Sequence, residues 1–219
     1  MNFKSLKQEL TLLDVACICD ADKNLRVMDP EIHPINQGLK MVGIARTVRC
    51  ESDFLTVIKA LHDAKEDEVL VVDAGAKKIA VAGELFTTEA NRKNLGGIVI
   101  DGGCRDVRHL KNIDLPVYAR FVTPLAGTVE RISQTQIPVV CGGVTVSPGD
   151  ILFGDDDGIV VMTQKEFGEV IINAQQIQEK EELVLKRMAD DQSLISMINF
   201  LEHYDKIKNG QKSKLVFTI

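Results

Sequence analysis

Glu84, Arg105 and Asp106 are the side chains of this sequence best suited to act together on a substrate. The guanidinium of an arginine presents a planar set of donors that fits a carboxylate or an enolate oxygen. An aspartate is a hard oxygen ligand for Mg²⁺ and similar cations, and a second carboxylate nearby could share a metal–water site with it. The three residues therefore predict a site for a small organic acid and a divalent cation.

Each of these residues also has a simpler explanation. Arg105 and Asp106 are adjacent and could form a solvated ion pair in a surface loop. Glu84 could be a carboxylate that is favoured at a helix start by the helix dipole. The reactive interpretation requires all three side chains to reach one pocket, so it depends on the elements that position them.

A strand–helix–strand unit would bring the three side chains together. Val69–Asp73 and Gly97–Asp101 are short β-branched runs bounded by glycine, which is the pattern of buried strands. Between them, after a loop, Glu84–Leu95 has the composition of a helix. A unit of this size predicts a parallel crossover, in which the helix start and the end of the second strand lie at the same sheet edge. Open α/β sheets bind ligands at this edge.

The predicted helix start also supplies backbone donors. The amides around Gly83, Glu84 and Leu85 would lie near Arg105 and Asp106 and could bind an anion. The residues predicted to face the sheet are Leu85, Thr88, Ala90 and Leu95, and those predicted to face solvent are Glu89, Arg92 and Lys93.

Composition excludes several classes of function. The 219 residues suffice for one well-filled core, and 45% hydrophobic and 26% charged residues are ordinary for a globular protein. A net charge of -6 offers no basic surface for nucleic acid, and no apolar run is long enough for a transmembrane helix. The start of the sequence has no apolar core before a small-residue cleavage site, so we expect no signal peptide. The five scattered cysteines favour reduced thiols. We therefore expect a cytoplasmic protein with neither membrane nor nucleic-acid partners.

Several local patterns are better explained by structure than by chemistry. Cys17 and Cys19 have no second Cys/His pair at the spacing of a zinc site. The run Asp155–Gly158 lacks the length and closing glutamate of a calcium loop, and it predicts a hairpin turn. The four histidines are dispersed, so no catalytic triad is expected. The glycines match no nucleotide-binding motif, so no nucleotide cofactor is predicted.

The rest of the chain predicts further helices and strands. The predicted helices are 1 to about 14, Phe54 to about Lys65 with Asp53 as its cap, Gln164 to about Arg187, and Ser193 to about His203. The predicted strands are Met41–Cys50, Leu115–Phe121, Ile137–Cys141, Val144–Val146, Ile151–Phe153 and Ile159–Met162. We expect the last four strands to form a second, β-rich layer. On the helix predicted from 54 to about 65, one face is expected to be buried, with Phe54, Val57, Ile58 and Leu61.

A family resemblance is carried by the segment GELFTTEANRKNLGGIVIDGGCRDV, residues 83–107. It closely resembles the signature of RraA-like proteins, which include the class II 4-hydroxy-4-methyl-2-oxoglutarate (HMG/CHA) aldolases. Further matching segments are CDA at 19–21, GIARTV at 43–48, VVDAG at 71–75, CGGVTVSPGD at 141–150 and DDDGIVVM at 155–162. The resemblance covers residues 12 to about 190.

The resemblance implies an α/β fold: a layered α/β/β swivelling-type domain over residues 1–163, with a C-terminal helical extension over residues 164–219. It also implies a homotrimer or a dimer of trimers with sites at subunit interfaces. The implied activity is metal-dependent cleavage of 4-hydroxy-2-oxo acids, or decarboxylation of oxaloacetate, through a pyruvate enolate. The implied cofactor is Mg²⁺ or Mn²⁺, and the implied partner is a small 2-oxo acid.

The family pattern assigns roles to particular residues of this sequence. Asp106 would ligate the metal, Glu84 would hold a metal-bound water, and Arg105 would bind the keto acid and stabilise its enolate. Backbone amides of Gly83, Glu84, Leu85 and Phe86 would bind the substrate carboxylate. A glutamate from the C-terminal helix of a neighbouring subunit would complete the site. We assign it to Glu181, ahead of Glu179 and Glu182.

One departure from the family pattern is His109, which stands where the family has its last acid. This leaves the substrate open. Two other functions remain as alternatives to a lyase. Members of the family that inhibit ribonuclease E act as binding proteins, although they tend to be shorter and to lack the full set of acid and Arg-Asp. A methyltransferase would require a nucleotide-type cofactor site, which the glycine pattern does not support.

Overall fold

The computed structural model describes residues 3–219 and contains seven α-helices, one 3-10 helix and ten strands within them. The helices are α1 Phe3–Thr11, α2 Val15–Ala21, α3 Leu55–Asp63, α4 Glu84–Arg92, α5 Val107–Leu110, α6 Gln164–Ala189 and α7 Phe200–Lys208. The strands are β1 Arg26–Val27, β2 His33–Pro34, β3 Met41–Arg49, β4 Glu68–Ala82, β5 Gly97–Cys104, β6 Val117–Val122, β7 Val139–Cys141, β8 Val144–Val146, β9 Ile151–Asp155 and β10 Gly158–Met162. The first two residues of the predicted N-terminal helix lie outside the described part of the chain. Within that part, no helix has the length and apolar character needed to cross a membrane.

An eight-stranded mixed sheet forms the centre of the fold, in the order β1-β10-β9-β3-β4-β5-β6-β2. The four strands from β3 to β6 are parallel neighbours. The remaining strands pair in antiparallel fashion at the two ends of the sheet. This arrangement confirms the predicted α/β class.

The predicted strand–helix–strand unit is confirmed. Strands β4 and β5 pair in parallel, with Val69 opposite Gly97 and Asp73 opposite Asp101. Helix α4 connects them. Parallel neighbours need such a crossover because the chain must return to the same end of the sheet.

The loop predicted between Asp73 and α4 is wrong, because β4 continues to Ala82. Its pairing with β5 shifts register between Asp73 and Ala82, and Gly75 and Ala76 have left-handed φ values of 63° and 53°. The exposed run from Gly75 to Lys78 shows no apolar alternation, so nothing in the local sequence indicates a strand. Distant hydrogen bonds hold the segment instead: the amide of Ala80 donates to the carbonyl of Leu125 at 2.8 Å.

In β4 and the second half of β3, side chains alternate between two hydrophobic cores. Val48, Leu70 and Val72 lie in the core that also contains the buried residues of α3, α4 and α5. Ala45 and Val69 point the other way, into a core shared with the two-stranded sheet β7–β8. Because strand side chains alternate with period two, one buried strand serves both cores. The result is the predicted α/β/β layering.

The prediction that Ile151–Phe153 and Ile159–Met162 belong to the second β layer is wrong. Strand β9 pairs with β3 and β10 pairs with β9, so both extend the main sheet. Their hairpin turn at residues 155–158 is confirmed. Only the strands around Gly142 form the second layer. Short strands with similar apolar patterns do not reveal which sheet they join.

Two predicted helix faces are wrong in part. On α4, Leu85 is 79% exposed and Thr88 is also exposed, whereas Thr87 is buried. Thr87 occupies the core face because its hydroxyl donates to the carbonyl of Gly83 at 3.2 Å, which satisfies its polar group. On α3, Ile58 is 40% exposed, although the other three predicted residues contact the core.

The start of the C-terminal extension follows from a local capping motif. The hydroxyl of Thr163 accepts from the amide of Glu166 at 3.1 Å, and the Glu166 carboxylate accepts from the amide of Thr163 at 2.6 Å. This capping box fixes the start of α6 at Gln164. The first half of α6 then packs Phe167 and Val170 into a core shared with α1, α2 and β9.

The helix predicted at Ser193–His203 is wrong. A 3-10 helix at Leu194–Met197 is followed by a break at Asn199, and α7 begins at Phe200. Asn199 pairs with a distant segment: its side-chain oxygen accepts from the amide of Val216 at 2.8 Å. This tertiary hydrogen bond stabilises the break.

Asp53 connects α3 to the loop after β6. Its carboxylate accepts from the Thr128 hydroxyl at 2.7 Å, from the amides of Glu130 and Arg131 at 2.6 and 3.1 Å, and from the amide of Leu55 at 3.0 Å. Burial raises the pKa of this carboxyl, but the four donors outweigh burial and lower the pKa to about 2. The carboxylate is therefore the form that the folded state requires.

We predict that Asp53→Asn lowers the melting temperature at pH 7 by several degrees, because the new NH₂ group would face donors that need an acceptor. The pKa of Asp53 is lowered on folding, from ~3.9 for a free aspartate to about 2. Its stabilisation is thus present above pH ~4 and is lost as the pH falls toward 2. The difference between wild type and variant, measured by calorimetry, should shrink over this interval. Asp114→Asn, which changes an exposed carboxylate, is the control and should show neither effect.

Candidate functional site

Asp106 holds the start of α4 and the tip of β5 together. Its Oδ2 accepts a hydrogen bond from the backbone amide of Glu84, with an N···O distance of 3.0 Å. One residue earlier, the amide of Arg105 donates to the carbonyl of Ala82 at 3.1 Å, which extends the pairing of β4 and β5 up to the helix. Asp106 has a left-handed φ of 61°, where the chain leaves β5 for α5. The structure therefore brings Glu84, Arg105 and Asp106 to one edge.

Gly83 allows this close approach. It precedes α4 in an extended conformation, with φ of -166°, so its backbone is not strained. A Cβ at this position would overlap Oδ2 of Asp106 and would lie 2.9 Å from Cγ of Arg105. Position 83 must therefore lack a side chain for sterical reasons alone.

The charged groups of the site are accessible to a ligand. The side chains of Glu84, Arg105 and Asp106 are 56%, 45% and 40% exposed. Nε of Arg105 lies 3.6 Å from Oδ2 of Asp106, which is longer than a hydrogen bond. The guanidinium therefore keeps donors that can bind an anion.

His109 faces Glu84 across the site. Its Nδ1 lies 3.6 Å from Oε1 of Glu84, and its Nε2 lies 3.2 Å from the hydroxyl of Thr88. The imidazole is thus placed between a carboxylate and a hydroxyl on α4. His109 was noted from the sequence, but Thr88 was missed because it was predicted to face the sheet. Its position one helical turn after Glu84 could have indicated that both side chains lie on the same face of α4.

A small pocket, with a cavity volume of about 50 Å³, opens beside these residues. It is lined by Phe54, Ala80, Val81, Ala82, Gly83, Leu85, Phe86, Arg105, Asp106 and Ala126. One wall is a T-shaped pair of Phe54 and Phe86, with ring centroids 5.7 Å apart. The pocket therefore combines an apolar wall with the helix start and the guanidinium. Phe54 and Ala126 were missed because they come from segments distant in the sequence.

An open recess adjoins the pocket on the side of α5. It is lined by Glu84, Asp106, Val107, Arg108, His109 and Asn112. Asp106 lines both spaces, so a ligand could extend from the pocket into the recess. Arg108 and Asn112 were not among the site residues predicted from the sequence.

The donor set suits a cation that keeps most of its water ligands. No group of three or more His, Cys, Asp or Glu side chains within residues 3–219 could by itself hold a metal ion. Oδ2 of Asp106 is engaged by the amide of Glu84, while the two exposed carboxylates of Glu84 and Asp106 open to the same recess. Mg²⁺ is commonly bound by one or two carboxylates together with waters and substrate oxygens. Asp106 and Glu84 therefore fit such an ion.

Glu181 lies apart from this site in its own chain. Its Oε2 accepts from the thiol of Cys17 at 3.5 Å, and it lines a separate cleft with residues 155–157. Burial raises the pKa of the Cys17 thiol to about 12, and the hydrogen bond to Glu181 adds to this increase. The assignment of Glu181 to a neighbouring subunit's site stays a prediction.

Cys104 is not suited to act as a nucleophile, although it precedes Arg105. It is fully buried, and burial raises the pKa of its thiol to about 11. The reactive form of cysteine is the thiolate. The chemistry of the pocket therefore falls to oxygen and nitrogen groups.

The fold and the site define an α/β/β protein with a carboxylate–arginine pocket at the edge of a parallel sheet. The family model described as RraA-like, Aldolase/RraA, matches residues 15–161. The chain therefore belongs to the Aldolase/RraA family.

Similar proteins differ in the names that they carry. One relative, from Halalkalibacterium halodurans, is 34% identical over 82% of this chain and 86% of its own length, and is named "Putative 4-hydroxy-4-methyl-2-oxoglutarate aldolase". A crystal structure of an uncharacterized protein from Pseudomonas syringae superposes with a TM-score of 0.78 at 25% identity, over 88% of this chain and 96% of that one. The RNA-processing inhibitor RraA from Thermus thermophilis has a TM-score of 0.64 at 25% identity, over 68% and 92% of the two chains. The family thus includes proteins named as an aldolase and as an inhibitor.

We predict that Gly83→Ala lowers the free energy of unfolding by about 1–3 kcal/mol, because the added methyl group displaces the Asp106 carboxylate. Gly168→Ala is the matched control: Gly168 lies within α6, and a Cβ there meets no atom within 4 Å. The control should stabilise by about 0.5–1 kcal/mol through helix propensity. Chemical denaturation measures both. Equal effects of the two substitutions would contradict the close approach at position 83.

Proposed function

We propose that this protein is a divalent-metal-dependent carbon–carbon lyase. It would cleave 4-hydroxy-2-oxo acids of the 4-hydroxy-4-methyl-2-oxoglutarate type, or decarboxylate oxaloacetate, by way of a pyruvate enolate. The observation that carries the proposal is the position of Asp106 at the start of α4, where it lines both the pocket that contains Arg105 and the recess that contains Glu84. The name of the relative at 34% identity supports the same reaction class.

The substrate carboxylate would bind at the start of α4. The backbone amides of Gly83, Leu85 and Phe86 lie at the first turn of this nine-residue helix, where the helix dipole favours an anion. The Glu84 amide already donates to Asp106. The Arg105 guanidinium lines the same pocket and would contact the 2-oxo oxygen. As the carbon–carbon bond breaks, this oxygen gains negative charge, and the cationic donor of Arg105 would stabilise it.

Asp106 would hold the divalent ion, Mg²⁺ or Mn²⁺. The bound ion would withdraw charge from the 2-oxo group. Glu84 would orient a water that takes the proton from the 4-hydroxyl and returns it to the enolate carbon. His109 would keep the Glu84 carboxylate in place, since its imidazole is itself held by the hydroxyl of Thr88.

We also propose a homo-oligomer, a trimer or hexamer, in which Glu181 of one subunit approaches the site of another. Support comes from three exposed apolar side chains, of which Leu85 lines the pocket. Leu85, Leu125 and Ile132 are 79%, 63% and 89% exposed. Contact with a second copy would remove these side chains from water.

A second candidate is a binding protein that inhibits a ribonuclease. It is favoured by the structural likeness to the RNA-processing inhibitor RraA from Thermus thermophilis. This candidate requires neither a metal nor the charge of Asp106. The two functions therefore predict opposite results for the same substitution.

We predict that the purified protein releases pyruvate from oxaloacetate and from 4-hydroxy-2-oxo acids when Mg²⁺ or Mn²⁺ is added, and that EDTA abolishes the release. Asp106→Asn should reduce kcat/KM by at least about a hundredfold. Asparagine tolerates a left-handed φ and can still accept from the Glu84 amide, so this variant removes mainly the charge. A coupled pyruvate assay measures the rates.

Asp114→Asn is the control and should keep full activity. If no 2-oxo acid is turned over with any divalent ion, and Asp106→Asn still binds a ribonuclease as well as wild type does, the lyase proposal fails and the inhibitor is favoured.

We further predict that Arg105→Lys lowers kcat/KM by about tenfold to a hundredfold at unchanged melting temperature. Lysine keeps the charge but loses the planar pair of donors that fits an enolate and its carboxylate. Arg92→Lys on α4 is the matched control, since Arg92 is exposed and, among residues 3–219, its guanidinium pairs only with Glu89. Equal rates for both variants would show that Arg105 does not contact the substrate.

A further inference from the structure

We propose that Arg108 binds a carboxylate on the departing half of the substrate and thereby sets a preference for dicarboxylic over monocarboxylic 4-hydroxy-2-oxo acids. This inference rests on the proposed lyase function and assigns a specificity-determining residue to it. The argument begins with the recess beside the pocket.

The recess is the natural place for the departing half. If the carboxylate of the pyruvate half lies against the α4 amides, the rest of the substrate must extend past Asp106. Asp106 lines both the pocket and the recess, and Glu84 lines the recess beside it. The bond to be broken would therefore lie beside Asp106 and Glu84, with carbon 4 and its substituents on the side of α5.

Arg108 is the cation of this recess, and its charge is not neutralised by the protein. Its side chain is exposed, and its guanidinium forms neither an ion pair nor a hydrogen bond with any group in residues 3–219. The other polar groups have partners: His109 contacts Thr88 and Glu84, and the Asn112 amide donates to the Arg108 carbonyl at 2.6 Å. The guanidinium is thus available to a ligand.

The charges in the recess explain why an arginine is useful there. Glu84 and Asp106 place two carboxylates in the lining of the recess, and they would repel a second carboxylate of the substrate. A guanidinium offsets this repulsion and can form two parallel hydrogen bonds with a carboxylate. A substrate whose carbon 4 carries a methyl group in that place gains neither effect.

The reaction itself is the same for both substrate classes. The bond between carbons 3 and 4 breaks, and its electron pair stays on carbon 3 as the enolate. The 4-hydroxyl loses its proton as carbon 4 becomes a carbonyl, and the enolate takes up a proton to give pyruvate. With 4-hydroxy-2-oxoglutarate the second product is glyoxylate, and with 4-hydroxy-2-oxopentanoate it is acetaldehyde.

These two substrates form a matched pair: carbon 4 carries a carboxylate in the first and a methyl group in the second. We expect wild type to prefer 4-hydroxy-2-oxoglutarate, and Arg108→Gln to lower the ratio of the two kcat/KM values by about tenfold to a hundredfold. Lys111→Gln is the charge-matched control: Lys111 follows the same short helix, is exposed and does not line the recess. It should leave the ratio unchanged.

Binding of unreactive analogues gives a second readout. We expect 2-oxoglutarate, titrated by calorimetry in the presence of Mg²⁺, to bind wild type more tightly than 2-oxopentanoate does. Arg108→Gln should remove most of this difference, and Arg108→Lys should restore part of it, because an ammonium supplies the charge without the fork.

The possible failures are distinguishable. Turnover of neither substrate would overturn the lyase proposal, and this inference with it. Turnover of both with equal kcat/KM, or an equal loss for both in Arg108→Gln, would overturn the role of Arg108 alone. If Lys111→Gln changed the ratio as much as Arg108→Gln does, a long-range effect of net charge would explain the change instead of a contact at Arg108. This result would also overturn the inference.

Discussion

The site depends on one hydrogen bond, from the amide of Glu84 to the carboxylate of Asp106. The first amides of a helix have no partner within the helix, so an acceptor from elsewhere is needed. Here the acceptor is an anion, which the helix dipole also favours. The same bond ties the second strand of the crossover to the helix that precedes it. Secondary structure and a reactive pocket are thus built from one interaction, and a glycine at position 83 leaves room for it.

The surrounding elements hold the two sides of the pocket independently. The register of the parallel pair β4–β5 fixes the position of Arg105 and Asp106 along the strand direction relative to α4. On the opposite wall, Asp53 ties the start of α3, and with it Phe54, to the loop that carries Ala126. Backbone pairing holds one side and the hydrogen bonds of Asp53 hold the other. A rigid frame of this kind lets exposed charged groups keep free donors and acceptors.

Two residues with proposed roles lie beside the pocket, in the recess. His109 and Arg108 project from the short helix after Asp106, where substitutions do not disturb the sheet. In the proposed lyase, the residues of the β4–α4–β5 crossover would carry out the reaction, and residues of α5 would determine which substrate is preferred. This division is typical of α/β proteins, in which the scaffold positions a constant group and the following loops vary.

Much of the fold was accessible from local sequence patterns. The β-branched runs at Val69–Asp73 and Gly97–Asp101 predicted buried strands, and the crossover between them predicted that Glu84 would lie near Arg105 and Asp106. The predictions failed where distant groups decide the conformation. The second half of β4 is held by the segment around Leu125, and the break before α7 is held by Val216. Neither partner is near in the sequence.

The sequence by itself determined the parallel crossover, the identity of its charged residues and the edge at which they meet, because apolar periodicity and chain connectivity are local properties. Only the tertiary structure decided that Thr88 faces His109, that Phe54 forms a wall of the pocket, and that Arg108 opens into the adjoining recess. These contacts depend on the packing of segments against one another, and a one-residue change in the buried stripe of a helix is enough to redirect a side chain from the core to the site.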